Sequence, residues 1–187
     1  MHRRDALRFL GAAAIAPLVV PLSTDERWSL GESLHRRITR GAQAGRALSA
    51  VQMAEVQALA ETIIPRTDTP GAADVGASEF VDLLLAEWYP DAERQQLLGG
   101  LDALSERFRG THGNVLAGLP AEARQSAVGS IDGVQGSAGS AEWAYARIKD
   151  GLVFAFLTSE PISRIVNTMP IMPGRFDGCI PVEGAPR

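Results

Sequence analysis

The chain has 187 residues, 45% of them hydrophobic and 21% charged. That is enough apolar matter for one buried core, too little chain for two ordinary domains, and too hydrophobic for wholesale disorder. The formal charge of −4 includes +2 on residues 1–22, where Arg3, Arg4 and Arg8 oppose Asp5, so the rest carries −6 and lacks the basic face that nucleic acid requires.

The opening residues place Arg3 and Arg4 ahead of Leu7 and Arg8, and an apolar run from Phe9 to Leu22 follows, broken by Gly11, Pro17 and Pro21. A bilayer-spanning helix needs about 20 apolar residues, so the run is too short to span. It fits the h-region of an export signal behind a charged n-region. The segment resembles a twin-arginine signal, with His2 and Ala6 where a hydroxyl residue and Phe are usual. The alternative is a general secretory signal, or a tethering helix with two adjacent arginines. Ala14-Ile15-Ala16 has the form of a cleavage site, but Pro17 would be an unfavourable first mature residue, so a retained anchor stays open. The expectation is a periplasmic protein.

Residues 23–47 have weak periodicity and read as an arm, either extended or with a short helix around Trp28–Arg40. Arg36, Arg37, Arg40 and Arg46, with no aromatic residue between them, read as a solvated stretch, with a partner-facing one as the alternative. Ser49 and Gln52 form a capping box that starts a helix running to Ile64, and Pro65 stops it. Residues 65–77 form a loop with a turn at Pro70-Gly71. Ser78 is expected to cap the next helix, whose Phe80, Val81, Leu84, Leu85 and Trp88 share one stripe, and Pro90 ends it. Asp91 opens a third helix that buries Leu97, Leu101, Leu104 and Phe108 and stops at Gly110. Pro120 suits the start of a fourth, Ala121 to about Ile131. After a small-residue loop, Ser140 caps a fifth helix carrying Trp143, Tyr145, Ile148, Val153, Phe154 and Leu157. A shorter helical turn follows Pro161, and the tail 169–187 is irregular because of its prolines. The fold class is all-α: one small domain over residues 48–187 of about five helices with long loops.

Candidate chemistry is sparse. His2, His35 and His112 are scattered without metal-site spacing. No glycine fingerprint follows a strand, and no Ser or His sits in a nucleophile-elbow context. Asp68 and Asp74 lack the further acids of a calcium loop and read as loop-shaping side chains. Glu61 and Glu87 read as solvated helix-face charges, while Trp88, Tyr89, Trp143 and Tyr145 read as core or interface anchors. Hence no catalytic, metal or cofactor residue is assigned, and the chain alone does not read as an enzyme. Cys179 is the single cysteine, so it is a buried thiol, a free reactive one, or an intersubunit disulfide partner.

Two segments carry a family resemblance. The first runs from Ala60-Glu61-Thr62-Ile63-Ile64-Pro65-Arg66-Thr67-Asp68-Thr69-Pro70-Gly71-Ala72 through Val75–Asp82 to Trp88-Tyr89. The second is Pro173-Gly174-Arg175-Phe176-Asp177-Gly178-Cys179-Ile180-Pro181, and Leu157-Thr158-Ser159-Glu160 adds to them. Over residues 48–182 the chain resembles the gluconate 2-dehydrogenase subunit 3 family. The resemblance implies a small helical subunit without catalytic residues, in an exported dehydrogenase complex. It also implies a large partner that binds FAD and resembles the glucose–methanol–choline oxidoreductases. A cytochrome c subunit with haem c, or an iron–sulfur cluster elsewhere in the complex, would carry electrons onward. Pro65, Arg66, Asp68, Pro70, Trp88, Tyr89, Pro173, Gly174, Arg175, Phe176 and Pro181 are then candidates for the partner interface. Twin-arginine export moves folded cargo, so a cofactorless chain with such a leader suggests that the partner travels with it. The reading from a different class is a stand-alone exported helical protein that binds a small molecule or tethers to the membrane.

Overall fold

A computed structural model of the chain describes residues 23–41 and 46–166. Among these residues every regular element is helical: α1 (Thr24–Thr39), α2 (Ala50–Ile63), α3 (Ala77–Trp88), α4 (Asp91–His112), α5 (Ala121–Gly129), α6 (Ala141–Thr158) and α7 (Glu160–Val166), with one-turn 3₁₀ segments at Ala73–Val75 and Leu116–Gly118. The all-α reading holds, and five of these helices are the expected body. The leader, with Arg3, Arg4 and Leu7, and the tail, with Pro173, Gly174, Arg175, Phe176, Cys179 and Pro181, lie outside the described residues.

The body is centred on α6, which packs against α4 most extensively and also against α3, α1 and α2. Close approach of α4 and α6 depends on Gly100, where a Cβ would lie 2.8 Å from the Ala144 Cβ and 2.8 Å from the Ser140 carbonyl oxygen. The core joins Leu59 of α2, Phe80 and Leu83 of α3, Leu101 and Phe108 of α4, and Ile148 of α6, all buried. Each such side chain contributes roughly 1.5–3 kcal/mol of burial. The capping box at Ser49 is present in both directions, with Ser49 N–H donating to Gln52 Oε1 at 3.0 Å and Gln52 N–H donating to Ser49 Oγ at 3.3 Å.

Several local expectations are corrected. Of the two readings left open for residues 23–47 the helical one holds, but the helix is longer and packed into the body, Thr24–Thr39: Ser23 and Glu26 form a second capping box, and Leu30 and Leu34 are buried. Ser78 does not cap α3. Gly76 takes the left-handed conformation at φ 68° and starts the helix two residues earlier, leaving Ser78 buried in its first turn. The third predicted helix runs through Gly110, because the left-handed turn falls at Gly113, φ 78°, whose N–H donates to the Arg109 carbonyl. The fourth ends at Gly129, with Ile131 buried just beyond it. On α3 the buried surface is wider than one stripe. Asp82 and Leu83 turn inward because α6, α1 and α2 all pack on it, while Trp88 turns outward and is 44% exposed.

The arginine stretch and Glu87 are not simply solvated. Arg37 and Arg46 both donate to the Glu87 carboxylate, Arg46 Nη1 at 2.7 Å, and the Arg37 hydrogen bond leads the causes that hold the Glu87 carboxyl below its ordinary range. Next to this clamp lies Asp82, fully buried. Its Oδ1 accepts the N–H groups of Ala47 at 3.0 Å and Leu48 at 2.8 Å, and its Oδ2 accepts that of Arg46 at 3.0 Å. One carboxylate thereby satisfies three consecutive backbone donors where the chain enters α2. A second carboxylate, Glu55, accepts the Leu116 N–H at 3.1 Å. Arg124 holds the same turn from outside through the Leu119 and Ala117 carbonyls at 2.8 and 3.0 Å.

Removing the Asp82 carboxylate orphans donors inside the fold, at about 1–3 kcal/mol for each that water cannot reach. Asp82→Ala is expected to lower unfolding stability by about 3 kcal/mol or more in urea titrations. The exposed Glu122→Ala should stay within about 0.5 kcal/mol of the parent. Equal effects of the two would contradict the role given to Asp82.

Candidate partner-docking site

The loop between α2 and α3 is closed on itself before it can meet anything else. Pro65 follows the last helical residues and cannot continue the helix ladder. The Ala72 N–H donates back to the Ile64 carbonyl at 3.0 Å, drawing the two ends together. At Gly71 a Cβ would lie 2.7 Å from the Arg66 nitrogen and 2.8 Å from the Ile64 carbonyl oxygen, so no larger residue fits this closure. Asp74 completes it. Its Oδ2 accepts the Gly71 N–H at 2.8 Å and its Oδ1 accepts Arg66 Nη1 at 2.9 Å. Asp74 is therefore a loop-shaping acid, as its spacing suggests. Asp68 accepts only the neighbouring Thr67 hydroxyl, at 3.0 Å.

The closed loop presents Pro65, Arg66 and Asp68 to solvent, with Pro70 half-buried. Trp88, at the far end of α3, is exposed. Tyr89 is buried; its hydroxyl has no hydrogen-bond partner, and burial raises its pKa well above the ordinary phenol range. Thus the structure gathers Pro65, Arg66, Asp68 and Pro70 in one closed loop, while Trp88 and Tyr89 sit apart from it at the opposite end of α3.

Sequence reasoning missed a groove beside the loop, of about 930 Å³, bounded by α1, the Asp74–Gly76 turn and the α6–α7 junction. Trp28, Ile38, Val75 and Pro161 supply its apolar surface. Its charged groups balance, Glu32, Asp74 and Glu160 against Arg36, Arg40 and Arg164. A usable signal was present, since Leu30, Leu34 and Ile38 recur at helical spacing behind a Ser-x-x-Glu start. The helix's low hydrophobic content, with charged residues on most of its surface, hid it.

At the floor of the groove His35 joins α1 to α6. Its Nε2 lies 2.9 Å from the Ala155 carbonyl oxygen and 3.1 Å from Thr158 Oγ1, and its ring packs 4.9 Å from that of Phe80. A carbonyl only accepts, so Nε2 carries the proton and donates to it. Burial lowers the His35 pKa, against the opposing pull of the Ala155 carbonyl.

Among the described residues there is no group of three or more His, Cys, Asp or Glu side chains placed to hold a metal, and no helix long and apolar enough to cross a membrane. What the described residues do form is an all-α body with a closed surface loop and an open groove. The chain belongs to the gluconate 2-dehydrogenase subunit 3 family, whose model matches residues 50–174, well over half of its length. Membership makes it a subunit-type component of a multi-subunit dehydrogenase. No curated protein and no solved structure matches the chain. The match begins at α2, so α1 and half of the groove lie outside it.

Because the folded pKa of His35 is lowered, the unfolded chain binds the proton more readily. The stability this residue contributes is complete above the ordinary histidine range, about 6.5, and is lost as pH falls below it. The protection factors of the α1 amides, with the intrinsic pH dependence of exchange divided out, should therefore fall between about pH 7 and pH 5. In His35→Asn the same pH step should have a smaller effect on α1. An identical acid response in parent and variant would remove His35 as its cause.

Proposed function

We propose that the chain is the non-catalytic small subunit of an exported FAD-dependent sugar, sugar-acid or glycoside dehydrogenase, required for export, folding and stability of the catalytic subunit. The observation that carries this reading is the family match across residues 50–174, which contains the whole projecting loop and its buried supports. Its closure by the Ala72–Ile64 and Gly71–Asp74 hydrogen bonds lowers the ordering entropy that docking on a partner costs. Its exposed Pro65, Arg66 and Asp68 offer a mixed apolar and charged surface, and Trp88 is a second anchor of the type that interfaces favour.

The flavin is assigned to the large partner of glucose–methanol–choline type. The described residues are all helical and provide no strand-to-helix glycine turn against which a dinucleotide pyrophosphate could rest. A cytochrome c subunit would accept the electrons. The periplasm is the proposed location, reached by the twin-arginine route with Arg3 and Arg4 as the export determinant for both chains.

The test is capture of the tagged full-length chain from its native host. The expected result is a large companion that releases FAD on denaturation and oxidises a sugar or sugar acid, whereas the chain alone is colourless and inactive. Changing Arg3 and Arg4 together to Lys should leave that companion in the cytoplasm. A chain that is captured without companion, or that itself holds the flavin, would overturn the reading.

A further inference from the structure

The loop between α5 and α6 opens on an aspartate followed by a glycine, Asp132–Gly133, and every residue from 132 to 138 is exposed. The sequence has two further Asp-Gly steps, Asp150–Gly151 and Asp177–Gly178, the second of them outside the described residues. The two described steps stand in opposite surroundings. Gly133 is at φ 76°, and a Cβ built on it meets nothing within 4 Å, so the approach to its nitrogen is open. Its N–H donates to the Asp132 carboxylate, and to no main-chain carbonyl among the described residues. Gly151 lies buried in the middle of α6, where a Cβ would stand 3.2 Å from Val81 Cγ2.

We propose that Asp132–Gly133 is a modification site, at which the folded protein forms a succinimide and then isoaspartate, and that Lys149 restrains the reaction. In the closing step the Gly133 nitrogen bonds to Asp132 Cγ and gives up its proton, while one carboxyl oxygen leaves as water. Water then adds to one of the two imide carbonyls. Opening at Cγ restores aspartate. Opening at the main-chain carbonyl leaves the chain running through the Asp132 side chain, which is isoaspartate. No oxidant or other reagent is consumed. Closure is favoured at Asp132 because the attacking nitrogen already lies at the carboxylate and no side chain crowds it. At Asp150 the same closure would break the main-chain ladder of α6 and turn a buried glycine against Val81.

The restraint is built into the contacts of Asp132. The Tyr145 hydroxyl donates to its Oδ1 at 3.1 Å, and Lys149 Nζ donates to the same oxygen. Lys149 is the only lysine in the sequence. An oxygen departs as water only after the carboxyl has taken up a proton. The Lys149 hydrogen bond leads the causes that hold this carboxyl below its ordinary range, and so keeps it in the unreactive form. Both donors belong to α6, so the same contacts tie the start of the loop to that helix. Isoaspartate adds a methylene to the main chain and moves the carboxylate, which releases the tie. This inference is independent of what the protein's partner is.

The test is ageing of the full chain, purified from its native host with any bound companion, over weeks at neutral pH. Peptide mapping with fragmentation that distinguishes the two isomers follows positions 132 and 150. The expected result is isoaspartate at position 132 in at least about fivefold excess over position 150. Lys149→Met, a change at a part-exposed side chain, should raise the rate at position 132 at least about twofold. In concentrated urea the two positions should react at similar rates, because the fold that separates them is gone. Absence of isoaspartate at position 132, equal accumulation at both positions in the folded chain, or a Lys149→Met rate no higher than the parent's would each overturn the proposal. An unchanged excess at position 132 in urea would also overturn it, by tracing the difference to sequence and not to structure.

Discussion

Three backbone amides at residues 46–48 point at one carboxylate, and the rest of the architecture depends on that meeting. Asp82 sits on α3 with no exposed surface, yet it serves the entry of α2. A charged side chain so placed is tolerable only because its hydrogen-bond capacity is filled by donors that would otherwise be orphaned themselves. The consequence is geometric. It fixes the start of α2 against the middle of α3, and the covalent loop 65–76 that joins the far end of α2 to the start of α3 must then close over a fixed distance. The Glu87 clamp on Arg37 and Arg46 carries the same constraint outward to α1.

This order of dependence explains how a small body can present a closed loop. Asp74 and the close contacts at Gly71 determine the loop's shape, while α2 and α3 determine where it projects. The exposed residues 65–69 are therefore placed by contacts at Gly71 and Asp74 and by the two helices that flank them.

Much of the fold was legible because local chemistry and tertiary structure agree. The Ser49–Gln52 box, the stop at Pro65 and the row Leu97, Leu101, Leu104, Phe108 state α2 and α4 in the sequence alone. The failures share a cause. Ser78 looked like a cap because its residue type favours one, but a glycine two residues earlier took the left-handed conformation first. Gly110 looked like a stop because position in the helix, not residue type, decides which of two glycines turns the chain. Glu87 and the arginines looked solvated because nothing local pairs charges 41 and 50 positions apart. The candidate loop was visible as a motif, whereas the groove was not. Its walls come from α1, residues 74–76 and α7, and only packing brings them together.

The central claim is that the closed loop after α2 is the surface by which this subunit meets its dehydrogenase. Amide hydrogen exchange, compared between the chain alone and the chain in its complex, reads that surface directly. The account predicts slowed exchange on assembly at residues 66–69, outside the helices and exposed, with little change along α4 and α6. Unchanged exchange at 66–69 in a complex that is demonstrably intact would contradict it.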